Sequence, residues 1–322
     1  MRGQAELYRL QVAAEESGQR LDQFLASRAA HSRTFWRRII DLGGVHVAGR
    51  RIRQCGYQVQ GAQQVEAYVD GLPLEPFVLE DRHILFRDRY LLALDKPAGV
   101  DTQPTHARFK GTLYEALLRF LQDPFRPQSP PALGMVQRLD RDTSGVLVFS
   151  IHPRAHKPLT EAIGARRLDK VYLALVQGVP KARAGEIRSQ LARGRRDNRM
   201  KSVEQGGREA LTRYRVTRTW EAAALLEVEI PTGRSHQIRV HLAELGHPLL
   251  GDTAYGGPEG IAGAPVARQM LHSLRLDLKH PVSGEPLSLT APVPCDMKQL
   301  MAHLDAGQGA APQSLPRTEH PC

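Results

Sequence analysis

The sequence predicts an α+β fold preceded by a small basic module. Three observations carry this reading. Beyond residue 80, short strand-like runs are mixed with separate helices, which argues α+β. Before residue 72, a helix–helix–hairpin pattern carries arginines on one helix and in its turn. Between them, Leu72-Pro73-Leu74-Glu75-Pro76 reads as a linker, because two prolines resist regular structure.

Taken in order, residues 1–16 read as an edge strand or loose lead-in. Leu21, Phe24, Leu25 and Arg28 follow helical spacing, which predicts a short amphipathic helix over 20–29. Ser32 is a predicted N-cap for a helix over 33–42, with Phe35, Trp36, Ile39 and Ile40 on one side and Gly43-Gly44 as its stop. Val45-His46-Val47 and Ile52 bracket a hairpin turn at Ala48-Gly49-Arg50. From Asp81, strands are predicted at 83–86 and 90–94, followed by a Lys96-Pro97-Ala98-Gly99 turn and a helix over 112–122. A buried strand at 146–150, a helix over 158–165 and strands at 171–176, 214–216 and 225–230 come next. Ser235 is the expected N-cap of a helix running to Leu245, stopped by Gly246 with Pro248 beyond. The boundaries are then a lead-in at 1–17, a module at 18–72, a linker at 73–80, a main domain at 81–303, and an Ala/Gly/Pro/Gln-rich, disordered tail at 304–322.

Length supports about two domains. The chain has 322 residues, with 44 Lys+Arg against 34 Asp+Glu, a net charge of +10. That excess points to an acidic partner, nucleic acid or an anionic membrane surface. Residues 28–53 hold seven arginines against Asp41, a local +6. Residues 181–218 hold twelve basic residues against four acidic ones, a local +8, so the remainder is net −4. Clustering of this kind is the footprint of phosphate binding, although two solvated arginine-rich faces would also produce it. No run of about 18 apolar residues exists to span a membrane. The N-terminus is polar and followed by Glu15 and Glu16, unlike a signal peptide. Cys55, Cys295 and Cys322 form neither a disulfide framework nor a zinc pair, which suits a reducing cytoplasm.

Three segments are candidates for chemistry. Gln137-Arg138-Leu139-Asp140-Arg141-Asp142-Thr143-Ser144-Gly145 runs as a polar loop into the buried strand. A strand holds such a loop in place, and Arg138 and Arg141 would keep Asp140 ionised, able to act as nucleophile or base. A turn stabilised by its Asp and Thr side chains is the plainer alternative. Lys170, Tyr172 and Ala174 share one strand face, so Tyr172 is either a half-buried edge residue or a platform for a base. In Pro231-Thr232-Gly233-Arg234-Ser235-His236-Gln237-Ile238-Arg239-Val240-His241, a glycine turn opens a helix and can point N–H groups at an anion. His236 and His241 are five apart, about 140° around a helix, so they do not share a face for a metal.

Together these segments resemble RNA pseudouridine synthases of the RluA type. The family's H-R-L-D-x-x-T-S-G loop corresponds to QRLDRDTSG at 137–145, and its K-x-Y-x-A strand to Lys170, Tyr172 and Ala174. PTGRSHQIRVH at 231–241 is similar to P-x-T-G-R-x-H-Q-I-R-x-H, one residue tighter at its start. Leu245 to Gly256 matches L-G-H-P-x-x-G-D-x-x-Y-G, Lys96–Gly99 resembles K-P-A-G, and Gln269, Leu271, His272 and His280-Pro281 resemble the closing motif. Residues 18–70 more weakly resemble the alpha-L RNA-binding domain, with Ala62 where an aspartate is usual.

The resemblance implies a central mixed, mostly antiparallel sheet with flanking helices. It implies an isomerase in which the bond from ribose to uracil N1 breaks, the base turns, and C5 joins the sugar. By residue, Asp140 matches the catalytic aspartate, Tyr172 the tyrosine that packs on uracil, and Arg239 the basic partner of the aspartate. Arg33, Arg37, Arg38, Arg50, Arg51, Gln137, Arg138, Arg141, Arg195, Arg196, Arg234 and His236 are the candidate RNA contacts. Gln137 replaces a family histidine and cannot take a positive charge, so RNA handling should change more than catalysis. No cofactor and no metal are expected, since isomerisation needs no redox step, and no GxGxxG or P-loop occurs. Ribosomal RNA is favoured over transfer RNA, and a cytoplasmic monomer is expected. A non-catalytic RNA-binding protein on the same fold, or a hydrolase using His236 or His241, are the competing classes. An intact Asp140–Tyr172–Arg239 set speaks against the first. The lack of metal spacing or of a Ser or Cys nucleophile signature speaks against the second.

Overall fold

A computed structural model describes residues 5–165, 168–194 and 199–308. The chain divides into two compact units, residues 1–80 with 100–131, and residues 81–99 with 132–322. The segment 100–131, which the sequence boundaries group with the main domain, thus belongs to the first unit.

In the first unit, β1 (Glu6–Gln11) precedes α1 (Leu21–Arg28) and α2 (Arg33–Leu42). The hairpin β2 (Val45–Val47) and β3 (Arg50–Ile52) follows, then β4 (Gln64–Val69) and, within the 100–131 excursion, α3 (Leu113–Leu121). The sheet order is β1-β4-β2-β3. Local chemistry sets these ends. Ser32 Oγ accepts a hydrogen bond from the Phe35 amide, a cap that contributes about 1 kcal/mol. Gly43 closes α2 with φ +91°, and Ala48 and Gly49 both take positive φ in the two-residue hairpin turn. The amphipathic helices bury Leu21, Phe24, Leu25, Trp36, Ile39 and Ile40 against Val45, Val59 and Val65. The excursion is pinned by Arg108, which is buried and forks onto Asp70 at 2.9 and 3.0 Å.

The second unit contains β5 (Ile84–Arg87), β6 (Leu91–Lys96), β7 (Gly134–Met135), β8 (Ser144–Ser150), α4 (Pro153–Gly164) and β9 (Asp169–Gln177). It continues through β10 (Ala184–Arg193), β11 (Met200–Val203), β12 (Arg208–Thr219), β13 (Ala223–Glu229) and α5 (Gln237–Glu244). A small ribbon of β14 (Gly260–Ile261) and β15 (Ala264–Pro265) precedes β16 (Leu271–Lys279), β17 (Pro286–Thr290) and α6 (Cys295–Gln308). Among the described residues an eleven-stranded sheet runs β11-β10-β12-β13-β9-β16-β8-β6-β5, with β7 on β8 and β17 on β16. Among the described residues only the β16–β8 pair is parallel. The expected mixed, mostly antiparallel sheet is therefore the observed one.

Several local expectations differ from the structure. The helix predicted over 158–165 starts at Pro153 and carries Pro158 inside it. Residues 304–308 are the last turn of α6, where Leu304 packs into a core with Trp220, Leu225, Met297 and Leu300. Only 309–322 of the predicted tail lie outside the described residues. No helix among the described residues is long and apolar enough to cross a membrane.

Candidate active site

Asp140 lies in the loop that enters β8, and the loop is fixed from behind. Lys96, fully buried at the end of β6, donates from Nζ to the carbonyls of Pro97 (2.8 Å), Arg141 (2.8 Å) and Thr143 (2.9 Å). Gln269 Nε2 donates to Thr143 Oγ1 at 2.9 Å, and Arg268 Nη1 to the Asp142 carbonyl at 3.0 Å. Gly145 follows with φ +109°, and a Cβ there would stand 2.2 Å from the Ser273 carbonyl oxygen, so only glycine allows the parallel β16–β8 contact. A polar loop is thus clamped between two buried strands.

The turn before α5 supplies the partner. Gln237 Oε1 accepts from Thr232 Oγ1 and from the Arg234 amide, while Gln237 Nε2 donates to the Leu211 carbonyl. The brace lets His236 adopt a left-handed conformation, φ +52°, at the N-cap position. The expectation that Ser235 caps this helix is corrected: the helix begins after His236, with no side-chain cap. Strain of this kind survives only where surrounding bonds over-determine it.

α5 then presents Arg239 between two carboxylates. Its Nε and Nη2 fork onto Asp252 at 2.7 Å each, and its Nη1 donates to Asp140 Oδ2 at 2.9 Å. Side-chain exposure falls from 28% for Asp140 through 9% for Arg239 to 1% for Asp252. Burial opposes the Arg239 charge, but Asp252 and then Asp140 raise its pKa above the ordinary guanidinium value. The guanidinium stays charged, and its free edge orients the one carboxylate of the three groups that solvent can reach.

Two rings complete the site. Tyr172, on β9, is buried, and burial pushes its phenol up to about 12, with a Ser273 hydrogen bond acting the other way and the Asp140 charge adding to the rise. It is a neutral phenol near pH 7. His236 Nδ1 lies 2.8 Å from Tyr255 Oη, which already accepts the Met200 amide at 3.1 Å. His236 Nε2 faces Asp140 at 3.9 Å from Oδ2. Burial lowers the His236 pKa, against the pull of Asp140. Burial also lowers Lys170, two residues before Tyr172 on the same strand.

The sequence candidates Asp140, Tyr172, Arg239 and His236 are thus brought together. Arg138 is exposed beside them, and Gln137 and Arg141 are partly buried. Arg234 donates from Nε to the Glu209 carbonyl at 2.9 Å. In the first unit, Arg37, Arg38 and Arg50 are exposed, and Arg38 reaches Glu75 at 3.0 Å. Arg33 is held by the buried carboxylate of Asp22 at 2.8 Å. Arg195 and Arg196 lie outside the described residues. Sequence reasoning missed Asp252, Lys96, Tyr255 and Ser273. The first three sit inside motifs matched at 245–256 and 96–99, but nothing in those matches reveals which atoms meet. Among the described residues, no three His, Cys, Asp or Glu side chains are grouped to hold a metal.

The geometry assigns Asp252 the task of aiming Arg239. Asp252→Asn should lower turnover by about 10- to 100-fold while leaving RNA affinity nearly intact, as loss of outer-shell partners does elsewhere. Turnover at the parental rate in a single-turnover assay would remove that task.

Residues 90–244 match the family model described as RNA pseudouridylate synthase, and residues 19–65 match the S4 domain. A Xanthomonas campestris protein named ribosomal large subunit pseudouridine synthase D is 41% identical over 232 residues, 69% of each chain. An uncharacterized RNA pseudouridine synthase of Chloroflexus aurantiacus is 36% identical over 301 residues, covering 91% of this chain and 92% of that one. Among solved structures, human RNA pseudouridylate synthase domain containing 4 aligns with a TM-score of 0.58 at 25% identity, over 70% of this chain and 93% of that one.

Proposed function

Because the chain belongs to the RNA pseudouridine synthase family and isomerises uridine in RNA to pseudouridine, we propose that Asp140 is its catalytic carboxylate and large-subunit ribosomal RNA its substrate. The observation that carries the site assignment is the relay Asp252–Arg239–Asp140, which ends in a carboxylate at the mouth of a clamped loop. The target base must leave its stack to reach it. Tyr172 then offers a neutral aromatic face, and stacking of this kind contributes about 1–3 kcal/mol per base. Asp140 acts on the sugar or on the base while uracil detaches, turns and rejoins through C5. Arg239 keeps it oriented throughout. With Tyr172 held neutral by burial, its hydroxyl takes part in any movement of the C5 proton as a phenol, not as a phenolate.

The substrate reading rests on relatives from Xanthomonas, Xylella and Pseudomonas, all named ribosomal large subunit pseudouridine synthase D. Asp140, Tyr172, Arg239 and Asp252 all come from one unit of one chain, which supports a monomer working where ribosomal RNA is made and assembled, the cytoplasm. Pseudouridine mapping of ribosomal and transfer RNA from a strain lacking the gene, against its parent, tests the substrate. Loss of a site in ribosomal RNA supports it, and loss confined to transfer RNA overturns it.

The S4 residues have their own test. Arg37 and Arg50 are exposed on α2 and at the hairpin, so replacing both with Ala should weaken RNA binding. The slope of log K against log salt should fall by about 0.7–0.9 per lost phosphate contact. An unchanged slope in filter binding would take that face off the RNA. Arg33 needs separate treatment, because its loss would strip a partner from Asp22, whose side chain is fully buried.

A further inference from the structure

The first unit holds a pocket that the S4 match does not account for. It is lined by Arg51, Ile52, Arg53, Gln54, Tyr57 and Phe109, with a volume of about 390 Å³. Five of these come from the hairpin strand and the segment after it. The sixth, Phe109, comes from the 100–131 excursion, outside the matched residues 19–65. Its placement is firm: the Phe109 and Lys110 amides both donate to the Leu42 carbonyl, at 2.7 and 3.0 Å. Arg108 next door is locked to Asp70.

The lining contains two cations and no carboxylate. The guanidinium of Arg53 lies 4.9 Å from the Phe109 ring centre and that of Arg51 lies 6.0 Å from it. Arg51 is tied down through Nη2, which donates to the Thr105 carbonyl. Its Nη1 is buried and has no hydrogen-bond partner among the described residues. An unsatisfied buried donor on a charged group is costly, and here it stands beside a second like charge. Burial, and then the Arg53 charge, pull Arg51 below the ordinary guanidinium value. An anion in the pocket would offset the two like charges that line it. A flat base would extend the stack already made by the Arg53 guanidinium and the Phe109 ring.

We infer that this pocket binds one unpaired nucleotide of the RNA, its phosphate on the Arg51–Arg53 pair and its base stacked on the Arg53–Phe109 surface. The inference rests on the RNA-modifying function and adds a contact far along the chain from the catalytic loop. It also makes the S4 module incomplete without Phe109.

The test uses the full chain and unmodified, transcribed large-subunit ribosomal RNA. Filter binding gives the affinity and its salt slope without reference to turnover. Phe109→Ala should weaken binding about tenfold and leave the salt slope unchanged, because it removes a stacking surface and no charge. Phe109→Leu, which keeps an apolar side chain and the backbone bond to Leu42, should do the same. Phe109→Tyr should restore binding to within about twofold. Arg51→Gln with Arg53→Gln should weaken binding and also flatten the slope. Ultraviolet crosslinking followed by mass spectrometry should place RNA on the peptide containing Phe109. Parental affinity in folded Phe109→Leu, or crosslinks that avoid residues 51–57 and 109, would overturn the inference. A parental chain that binds this RNA without forming pseudouridine, while the Phe109 variants lose affinity as described, would count against the proposed substrate and leave the pocket standing.

Discussion

Asp140→Asn is expected to abolish pseudouridine formation, a loss of roughly 10⁴-fold or more, as removal of a covalent or essential carboxylate does in other enzymes. The substitution is nearly isosteric. The amide that replaces the carboxylate still offers an oxygen to Arg239 Nη1, and Arg239 keeps its two bonds to Asp252. The loop keeps its ties to Lys96, Gln269 and Arg268, none of which involves the Asp140 side chain. Thermal stability and RNA affinity should therefore stay close to the parent, within about 1 kcal/mol and threefold. Only charge, basicity and nucleophilicity are removed. Tritium release from RNA carrying 5-tritiated uridine reads the outcome, and release within tenfold of the parental rate would eliminate Asp140 as the catalytic carboxylate.

Arg239→Met should have the next largest effect, and it divides into two parts. The first is structural. The variant leaves Asp252, whose side chain is 1% exposed, as an unpaired buried charge. Breaking a buried pair in this way costs about 3–5 kcal/mol, which lowers Tm by about 10 °C in a domain of this size. The second is catalytic: Asp140 loses the donor that orients it, and turnover should fall at least 10³-fold. The two parts can be separated. Adding Asp252→Leu to Arg239→Met replaces the pair with apolar volume and should recover much of the Tm without recovering turnover. Recovery of turnover in the double variant would mean that Arg239 only holds the fold together.

Much of this site was readable from residue order. Capping and periodicity located α1, α2 and the first hairpin, because Ser32, Gly43 and Gly49 act through short-range bonds and backbone freedom. The loop carrying Asp140 and the strand carrying Tyr172 were readable because apolar runs announce buried strands. Of the ribbon formed by β10, β11 and β12, only the 214–216 part of β12 was. Many of its residues are charged and exposed, and the cross-strand pair Arg213–Glu186 joins β12 to β10. Their apolar positions, such as Leu191 and Leu211, are too sparse to form a continuous run along the sequence. The start of α5 was misread for a different reason: Ser235 has the right chemistry for a cap, but the Gln237 side chain already braces the turn and pushes the left-handed residue to His236. Asp252 was invisible as a functional residue because its contact with Arg239 depends on how the 245–256 loop returns against α5, not on spacing.

Lys96 gives the last consequence. Three carbonyls, from Pro97, Arg141 and Thr143, receive the protons of one ammonium group. A loop secured this way is already ordered before any RNA arrives. The entropy of ordering it is lost once in the lifetime of the molecule, when the chain folds, and not again in each catalytic cycle. Encounter with a uridine then needs no loop closure to assemble the carboxylate, so the waiting time between docking and chemistry belongs to the RNA, which must unstack a base to meet a finished surface.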